Sequence, residues 1–166
     1  SRRGFDTSRI RVAEPVAELR QALVADFGVQ GFELGPPAVA GAGLWLLAVK
    51  PQAMRAACEP LAGPAQAARP LVVSIAAGIP VARIQQWLGG ELPVVRCMPN
   101  TPALLGAGVT GLYAAPQVDA AGRQRAEQLL ASAGATVWVA GESLVDAVTA
   151  VSGSGPAYAF LLAEAM

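Results

Sequence analysis

The chain has 166 residues, 54% of them hydrophobic, and its equal numbers of acidic and basic residues give zero net charge at pH 7. This length suffices for one domain with a full core. No apolar stretch reaches the roughly eighteen uninterrupted residues of a membrane span, and Ser1–Asp6 lacks the apolar core of a signal peptide. The scattered basic residues form no nucleic-acid-binding stripe. Neither a membrane nor a nucleic acid is therefore expected as a partner.

Histidine is absent from the sequence, and no cluster of cysteine and carboxylate residues has metal-ligand spacing. Histidine is the commonest metal ligand and a frequent general base, so we expect no metal and assign no catalytic residue. Cys58 and Cys97 are too few for a disulfide framework, which predicts a reduced, cytoplasmic protein.

The first half of the chain alternates short apolar strands with helices. Apolar residues recur at helical spacing between Val16 and Phe27, and Gly28 provides a stop. Leu44–Val49 is a continuous apolar run, as expected for a strand buried on both faces. The predicted elements are, in order, a strand over Ile10–Ala13, a helix over Val16–Phe27, a strand over Val29–Phe32, a helical turn over Ala38–Ala42, the strand over Leu44–Val49, and a helix from Pro51 through Met54 and Leu61.

The second half continues this alternation. Its predicted elements are strands over Leu71–Ile75, Val94–Cys97, Val109–Ala114 and Thr136–Ala140, and helices over Pro80–Leu88, Asp119–Ala133, Glu142–Ala150 and Pro156–Met166. The pattern predicts an α/β fold with a Rossmann-type, doubly wound, mostly parallel sheet. No G-x-G-x-x-G follows a strand near the start of the chain, so we expect the first βα unit of such a fold to be absent. The last helix shows no stop signal, so it is expected to be cut short as well.

Two motifs interrupt the apolar runs with proline, glycine and small polar residues. Met98-Pro99-Asn100-Thr101-Pro102 follows the strand over Val94–Cys97, at the strand end where an α/β sheet binds its ligands. The prolines restrict the backbone around Asn100 and Thr101, whose amide and hydroxyl could hydrogen-bond a ligand. Alternatively, Thr101 caps a helix that begins at Pro102.

The second motif, Ser152-Gly153-Ser154-Gly155-Pro156, opens the last predicted helix. Amides and hydroxyls of Ser152, Gly153, Ser154 and Gly155 would lie at the positive end of the helix dipole, which suits a carboxylate ligand. The alternative is that Ser154 only caps the helix.

Together with Ala48-Val49-Lys50-Pro51, these motifs resemble those of the pyrroline-5-carboxylate reductases, in the same order and at similar intervals. The resemblance covers nearly the whole chain. It implies the last step of proline biosynthesis, in which NADPH or NADH transfers a hydride to the imine carbon of the small molecule 1-pyrroline-5-carboxylate and gives L-proline. In such a site, the amide of Asn100 and the hydroxyl of Thr101 could hydrogen-bond the carboxamide of the nicotinamide or the imine. The residues that the resemblance places along the cofactor are Ala48, Val49, Lys50, Pro51, Ile75, Ala76 and Ala77.

Several of these residues also have simpler explanations. Lys50 could merely extend to solvent from a strand end, and the small residues after Ile75 could serve close packing. Glu14 follows the first predicted strand, where an acidic residue of a Rossmann-type fold binds the adenosine ribose. Its charge would repel a 2′-phosphate and favour NADH. As an alternative, Glu14 is a surface charge favourable to the following helix dipole.

We predict a NAD(P)-binding Rossmann-type domain over residues 1–150 and the start of a helical dimerisation domain over 151–166. The resemblance implies a homo-oligomer formed through that second domain, and the chain by itself is expected to show at most residual activity. Two alternatives are open. One is another Rossmann dehydrogenase, such as a β-hydroxyacid dehydrogenase, although that group needs a catalytic lysine on a later helix. The other is a non-catalytic fragment of the reductase.

Overall fold

The computed structural model of the protein describes residues 6–166, and the backbone of this part contains seven strands. The strands are β1 (Arg11–Ala13), β2 (Gln30–Phe32), β3 (Leu44–Leu47), β4 (Leu71–Ser74), β5 (Val94–Met98), β6 (Gly108–Ala114) and β7 (Gly134–Trp138). Strands β3 to β7 form one sheet in sequential order, while β1 and β2 form a separate pair. Neighbouring strands are parallel except β5 and β6, which are antiparallel. The predicted mostly parallel α/β arrangement is confirmed, but its strands are divided between two sheets.

Helices connect the strands, because a parallel pair needs a crossover of about a dozen residues or more. The helices are α1 (Ala17–Phe27), α2 (Gly35–Val39), α3 (Met54–Cys58), α4 (Ala62–Ala68), α5 (Val81–Trp87), α6 (Ala120–Ala131), α7 (Ser143–Val148) and α8 (Gly155–Ala165). As predicted, α1 ends at Gly28, which has a φ of +67° and donates its amide to the carbonyl of Val24. The helix predicted from Pro51 is instead a series of short turns. Pro60 lies in a 3-10 turn between α3 and α4, where it lacks the amide that a continuous α-helix would use.

Strands β4 and β5 form the centre of the core. Val72, Val73, Val94 and Val95 are fully buried, because these strands have hydrogen-bonded neighbours on both sides and covered faces. Such unbroken apolar strands are typical of parallel sheets with both faces covered. The central strands therefore hold the loops that follow them on a rigid base.

Strand β3 differs from its prediction. It ends at Leu47 instead of Val49, and burial alternates along it: Trp45 is buried, Leu46 is 44% exposed and Leu47 is buried. Among the described strands, β3 pairs with β4 alone and forms the edge of the larger sheet. The prediction of burial on both faces was wrong because an edge strand has fewer neighbours to cover it.

The segment after β7 differs from the sheet in its exposure. α7, a π-helical turn over Thr149–Gly153 and α8 follow one another almost without a break. α7 packs closely on β6, since a Cβ placed on Gly111 would lie 2.9 Å from Cγ2 of Val148. The apolar side chains of α8 are mostly exposed. In the part of the chain that the structure describes, no helix is long and apolar enough to cross a bilayer.

Candidate functional site

An open cavity of about 550 Å³ lies beyond the end of β5 and brings the two sequence motifs together. It is lined by Ala77, Met98, Pro99, Asn100, Thr101, Ala103, Leu104, Thr149, Gly153 and Ser154. The location follows the general rule that open α/β sheets bind ligands at the carboxyl ends of their strands. This cavity is the candidate active site.

The first motif forms the wall that continues from β5. Met98 is the last residue of the strand and is buried, and a 3-10 helix over Thr101–Leu105 follows, ending at Gly106 in the left-handed conformation. The predicted helix cap is corrected here: Asn100, not Thr101, occupies the N-cap position, and its side chain makes no cap hydrogen bond. Thr101 is instead exposed on the cavity wall.

The Asn100 side chain connects the two motifs. Its Nδ2 donates to the hydroxyl oxygen of Ser152 at 3.0 Å, and its Oδ1 accepts the backbone amide of Val109 at 2.9 Å. An amide group has two donor hydrogens and two acceptor lone pairs, so one of each is left over after these bonds. Asn100 can therefore hold the loop in place and still hydrogen-bond a ligand.

The second motif has a backbone that the sequence did not predict. Ser152 and Gly153 lie inside the π-helical turn, and the amide of Ser154 donates to the carbonyl of Thr149 at 2.8 Å. π-helical turns are rare and occur often at functional sites. The expected free helix terminus at Ser152–Gly155 is wrong, because helix precedes as well as follows these residues. Ser154 occupies the N-cap position of α8, as expected, but its side chain makes no cap hydrogen bond.

The turn after β4 also contributes to the cavity. Ala77 lines it, whereas Ala76 is buried and Ile75 is half-buried behind it. Gly78 has a φ of +69°, a conformation that glycine adopts easily and that permits a tight turn in this segment. The small side chain of Ala77 leaves room for a ligand at this part of the lining.

The other predicted cofactor residues lie at strand ends and do not line this cavity. Ser152, in the π-helical turn, and Gly155, at the start of α8, do not line it either. Glu14 directly follows β1, and its Oε1 accepts the amide of Val16 at 2.9 Å at the start of α1. Its role at the helix start is therefore observed, while its role at a ribose stays a prediction. Ala48, Val49 and Lys50 follow β3 and are exposed, and the carbonyl of Lys50 accepts the amide of Ala53. Pro51 begins the 3-10 turn after them.

Comparisons with known proteins agree with this geometry. The chain is 53% identical over 163 residues to the pyrroline-5-carboxylate reductase of Pseudomonas aeruginosa, a match that covers 98% of this chain and 59% of that protein. It is 42% identical over 165 residues to the Haemophilus influenzae reductase, covering 99% and 60%. A pyrroline-5-carboxylate reductase structure from Coxiella burnetii superposes with a TM-score of 0.92 at 36% identity, covering 98% of this chain and 60% of that one.

The chain belongs to the pyrroline-5-carboxylate reductase family. It spans about 60% of the length of these reductases. A family model described as pyrroline-5-carboxylate reductase dimerisation matches residues 142–166. That match begins before the predicted domain boundary at residue 151, and the boundary itself stays a prediction.

More distant structures share the fold alone. Prephenate dehydrogenase from Aquifex aeolicus superposes with a TM-score of 0.72 at 17% identity. The imine reductase BcSIRED from Bacillus cereus superposes with a TM-score of 0.65 at 14% identity. The predicted Rossmann-type fold is confirmed by the reductase structures, and at this distance the fold by itself does not identify a reaction.

Sequence reasoning missed two features in and beside the candidate site. Thr149 lines the cavity, and the π-helical turn that presents it has no simple sequence pattern. Arg96 is a buried charge in the centre of β5, paired with Glu142 and Asp146. An arginine between valines and a cysteine in a buried strand was the signal that could have found it, since charged residues are almost never buried unless paired.

The buried thiol behind the site is not suited to catalysis. Cys97 donates to the carbonyl of Ser74 at 3.1 Å, and burial raises its pKa to about 12. The nucleophilic form of cysteine is the thiolate, so Cys97 stays a neutral packing residue. Within residues 6–166, no three His, Cys, Asp or Glu side chains are grouped so that they could hold a metal ion.

Proposed function

We propose that the protein reduces 1-pyrroline-5-carboxylate to L-proline, the last step of proline biosynthesis, with NADPH or NADH as the hydride donor. The observation that carries this proposal is the cavity between the two motifs, in a chain 53% identical to a pyrroline-5-carboxylate reductase. Because the chain spans about 60% of the reductases it resembles, the activity is proposed for the protein expressed from its complete reading frame.

The residues present fit a nicotinamide cofactor. Strands β3, β4 and β5 are parallel, so their carboxyl ends share one edge of the sheet, and a dinucleotide can extend along that edge. Ala77, Met98 and Pro99 give the cavity an apolar wall suited to a flat ring. A Plasmodium falciparum pyrroline carboxylate reductase of the same fold has been solved with NADP bound. We assign the contacts along the cofactor to Glu14, Ala48, Val49, Lys50, Pro51, Ile75, Ala76, Ala77, Asn100 and Thr101.

The second motif is assigned to the substrate. The Ser152 hydroxyl accepts a hydrogen bond from Asn100, which leaves its own proton free to donate to a carboxylate. Ser154 brings a second hydroxyl to the cavity wall, and Gly153 beside it allows close approach of a ligand. Gly155 follows them at the start of α8. Because the free helix terminus is absent, the hydroxyls rather than a helix dipole provide the recognition.

The reaction needs little acid–base chemistry from the protein. The bound cofactor supplies a hydride to the imine carbon, and a substrate nitrogen protonated beforehand becomes the secondary amine of proline. The residues around the cavity orient the substrate and exclude water. Because the protein need not supply a general acid or base, the reaction is compatible with a chain that lacks histidine.

We further propose that the protein is a cytoplasmic homo-oligomer that associates through the segment matched by the dimerisation model, residues 142–166. Both cysteines are free thiols, in keeping with a reducing compartment. The exposed apolar side chains of α8 provide a surface for a second subunit. The substrate is a small molecule, and we propose no membrane or nucleic-acid partner.

The test is a turnover assay on purified protein from the complete reading frame, following NAD(P)H absorbance. 1-Pyrroline-5-carboxylate is supplied with NAD(P)H, whereas prephenate and a 3-hydroxy acid, which would be oxidised, are each supplied with NAD(P)+. Turnover of the imine alone is expected. Turnover of a hydroxy acid without reduction of the imine would refute the proposal. The 166-residue chain by itself is expected to show at most residual activity in the same assay.

Cofactor choice gives a second test. Replacement of Glu14 by Ser keeps an oxygen that can accept the Val16 amide but removes the charge that would repel a 2′-phosphate. We expect kcat/KM for NADPH to rise relative to NADH. Glu18 lies in the first turn of α1, so Glu18→Gln is the matched control for a general loss of charge. An unchanged cofactor ratio in Glu14→Ser would show that Glu14 does not face the ribose.

A further inference from the structure

Arg96 has an unusual position for a charged residue. It is 2% exposed in the middle of β5, between valine and cysteine side chains that are themselves buried. Its Nη2 donates to Asp146 at 2.5 Å and its Nη1 to Glu142 at 3.4 Å. Within the described residues its Nε has no hydrogen-bond partner. Removing a charge from water in this way costs free energy unless the pairing is good.

The partners of Arg96 connect it to two helices. Glu142 precedes α7, and its Oε1 also accepts the amide of Val81 at the start of α5, at 2.7 Å. Asp146 lies one helical turn further along α7 and is 62% exposed at its side chain. Residues four apart on a helix share a face, so both carboxylates point to the same strand. We call Arg96, Glu142 and Asp146 the arginine cluster.

The arginine cluster lies directly behind both walls of the cavity. Met98, two residues after Arg96 on β5, lines one wall. Thr149, three residues after Asp146, lines the other wall at the start of the π-helical turn. The cluster does not itself line the cavity. A shift of Asp146 relative to Arg96 would therefore move one wall against the other.

A second contact between the same elements is made nearer the cavity. The Asn100–Ser152 hydrogen bond also joins the segment after β5 to the π-helical turn. The cluster and this bond thus fix the same spacing from two positions. The Asn100–Ser152 hydrogen bond is weaker than the ion pairs of the arginine cluster, because it joins neutral groups and is partly exposed.

We propose that Arg96, held by Glu142 and Asp146, is a positioning residue for hydride transfer. The inference rests on the proposed reductase function. The cluster sets the distance between the wall that holds the nicotinamide and the wall that holds the imine, and it touches neither. An error of about 1 Å in such a distance can reduce the rate on the order of a hundredfold. Cofactor affinity depends on other strand ends and is not controlled by the cluster.

The experiment compares Asp146→Asn with the wild type, both expressed from the complete reading frame. The substitution removes the charge, keeps the shape and changes a largely exposed side chain, so the fold is expected to survive. We expect kcat to fall about tenfold or more, while the dissociation constant of NADPH, measured by fluorescence titration, changes less than about twofold. Wild-type turnover of the imine, measured alongside, tests the reductase function separately.

A matched control exists on the surface. Arg55 and Glu59 form an exposed ion pair at 2.6 Å, four residues apart, and Glu59→Gln removes a carboxylate from an arginine as Asp146→Asn does. We expect it to leave kcat and cofactor binding unchanged. Arg96→Lys keeps the charge but loses the fork that reaches two carboxylates, and it is expected to lower kcat as Asp146→Asn does. Because both substitutions break one interaction, their effects in the double variant should not add.

Two outcomes of the kinetic and melting measurements would overturn the inference. One is a lowered melting temperature in Asp146→Asn with kcat unchanged, which would mark the cluster as purely structural. The other is an equal loss in Glu59→Gln. Hydrogen exchange gives a readout that does not need activity: amides of residues 149–154 should exchange faster in Asp146→Asn than in the wild type and Glu59→Gln. Unchanged exchange there would also refute the positioning role.

Discussion

The centre of the sheet and the last helix have similar side chains but opposite surroundings. In β4 and β5 the valines are fully buried, whereas in α8 Tyr158, Phe160, Leu161 and Leu162 are each more than half exposed. An apolar side chain is stabilised only by the neighbours that cover it. Contiguous exposed apolar surface marks a site of interaction, and α8 lies in the segment matched by the dimerisation model. The sheet therefore buries its apolar side chains within one chain, whereas those of α8 are left uncovered in the described part of the chain.

The largest effect is expected in the sheet. Leu112 in β6 is fully buried, so Leu112→Ala should lower the free energy of unfolding by about 2–5 kcal/mol through lost burial and a cavity. The unfolding free energy is measured by urea unfolding of the 166-residue chain at low concentration, followed by circular dichroism. Leu162→Ala in α8 is the control and should change the value by no more than about 0.5 kcal/mol. Equal changes in the unfolding free energy of the two variants would show that the sheet and α8 do not differ in how much their apolar side chains stabilise the chain.

The second-largest loss of stability is expected where α7 packs on β6, at the junction between the sheet and the last helices. A Cβ at Gly111 would lie 2.9 Å from Val148, so Gly111→Ala should force α7 away from β6 at about 1–3 kcal/mol. A Cβ at Gly63 in α4 would point into open space, with no neighbouring group within 4 Å. Gly63→Ala is therefore the control, and a helical alanine there should be neutral or slightly stabilising. A Gly111→Ala protein as stable as Gly63→Ala would show that α7 moves freely.

A smaller effect on the free energy of unfolding is expected at alkaline pH, and it arises from the two buried cysteines of the core. Burial raises the pKa of Cys97 to about 12 and that of Cys58 to about 11, from an ordinary value near 9.0. The folded chain therefore keeps protons that the unfolded chain loses, and stability should decline as pH rises from about 9 towards 12. At pH 8 iodoacetamide should label neither thiol in folded protein and both in urea. Rapid labelling of the folded protein would contradict the burial of these thiols.

The smallest effect on unfolding, but a clear one on association, is expected in α8. Phe160 is 71% exposed, so Phe160→Ser should change the unfolding free energy of the single chain by no more than about 0.5 kcal/mol. In the protein from the complete reading frame, it should weaken self-association about tenfold or more, measured by sedimentation. Glu164→Gln in the same helix is the control. Association unaffected by Phe160→Ser would place the interface elsewhere.

Much of the fold was predictable from the sequence because local patterns decided it. The seven strands and the principal helices were located by apolar runs, by helical spacing and by stops such as Gly28. Leu46 shows where this fails: it belongs to an apolar run, but the run lies at a sheet edge and the side chain is partly exposed. Strand order is a property of distant neighbours, and no local pattern contains it.

The candidate site, like the fold, was predictable from the sequence only in part. The sequence by itself located the two motifs and placed both after predicted elements, since proline, glycine and small polar residues act through local backbone geometry. Only the tertiary structure decided that Asn100 bonds Ser152, that Thr149 faces the cavity from a π-helical turn, and that Arg96 meets carboxylates 46 and 50 residues away. Those contacts join residues far apart in the chain, and they form only when the packed sheet brings the strand and the helix together.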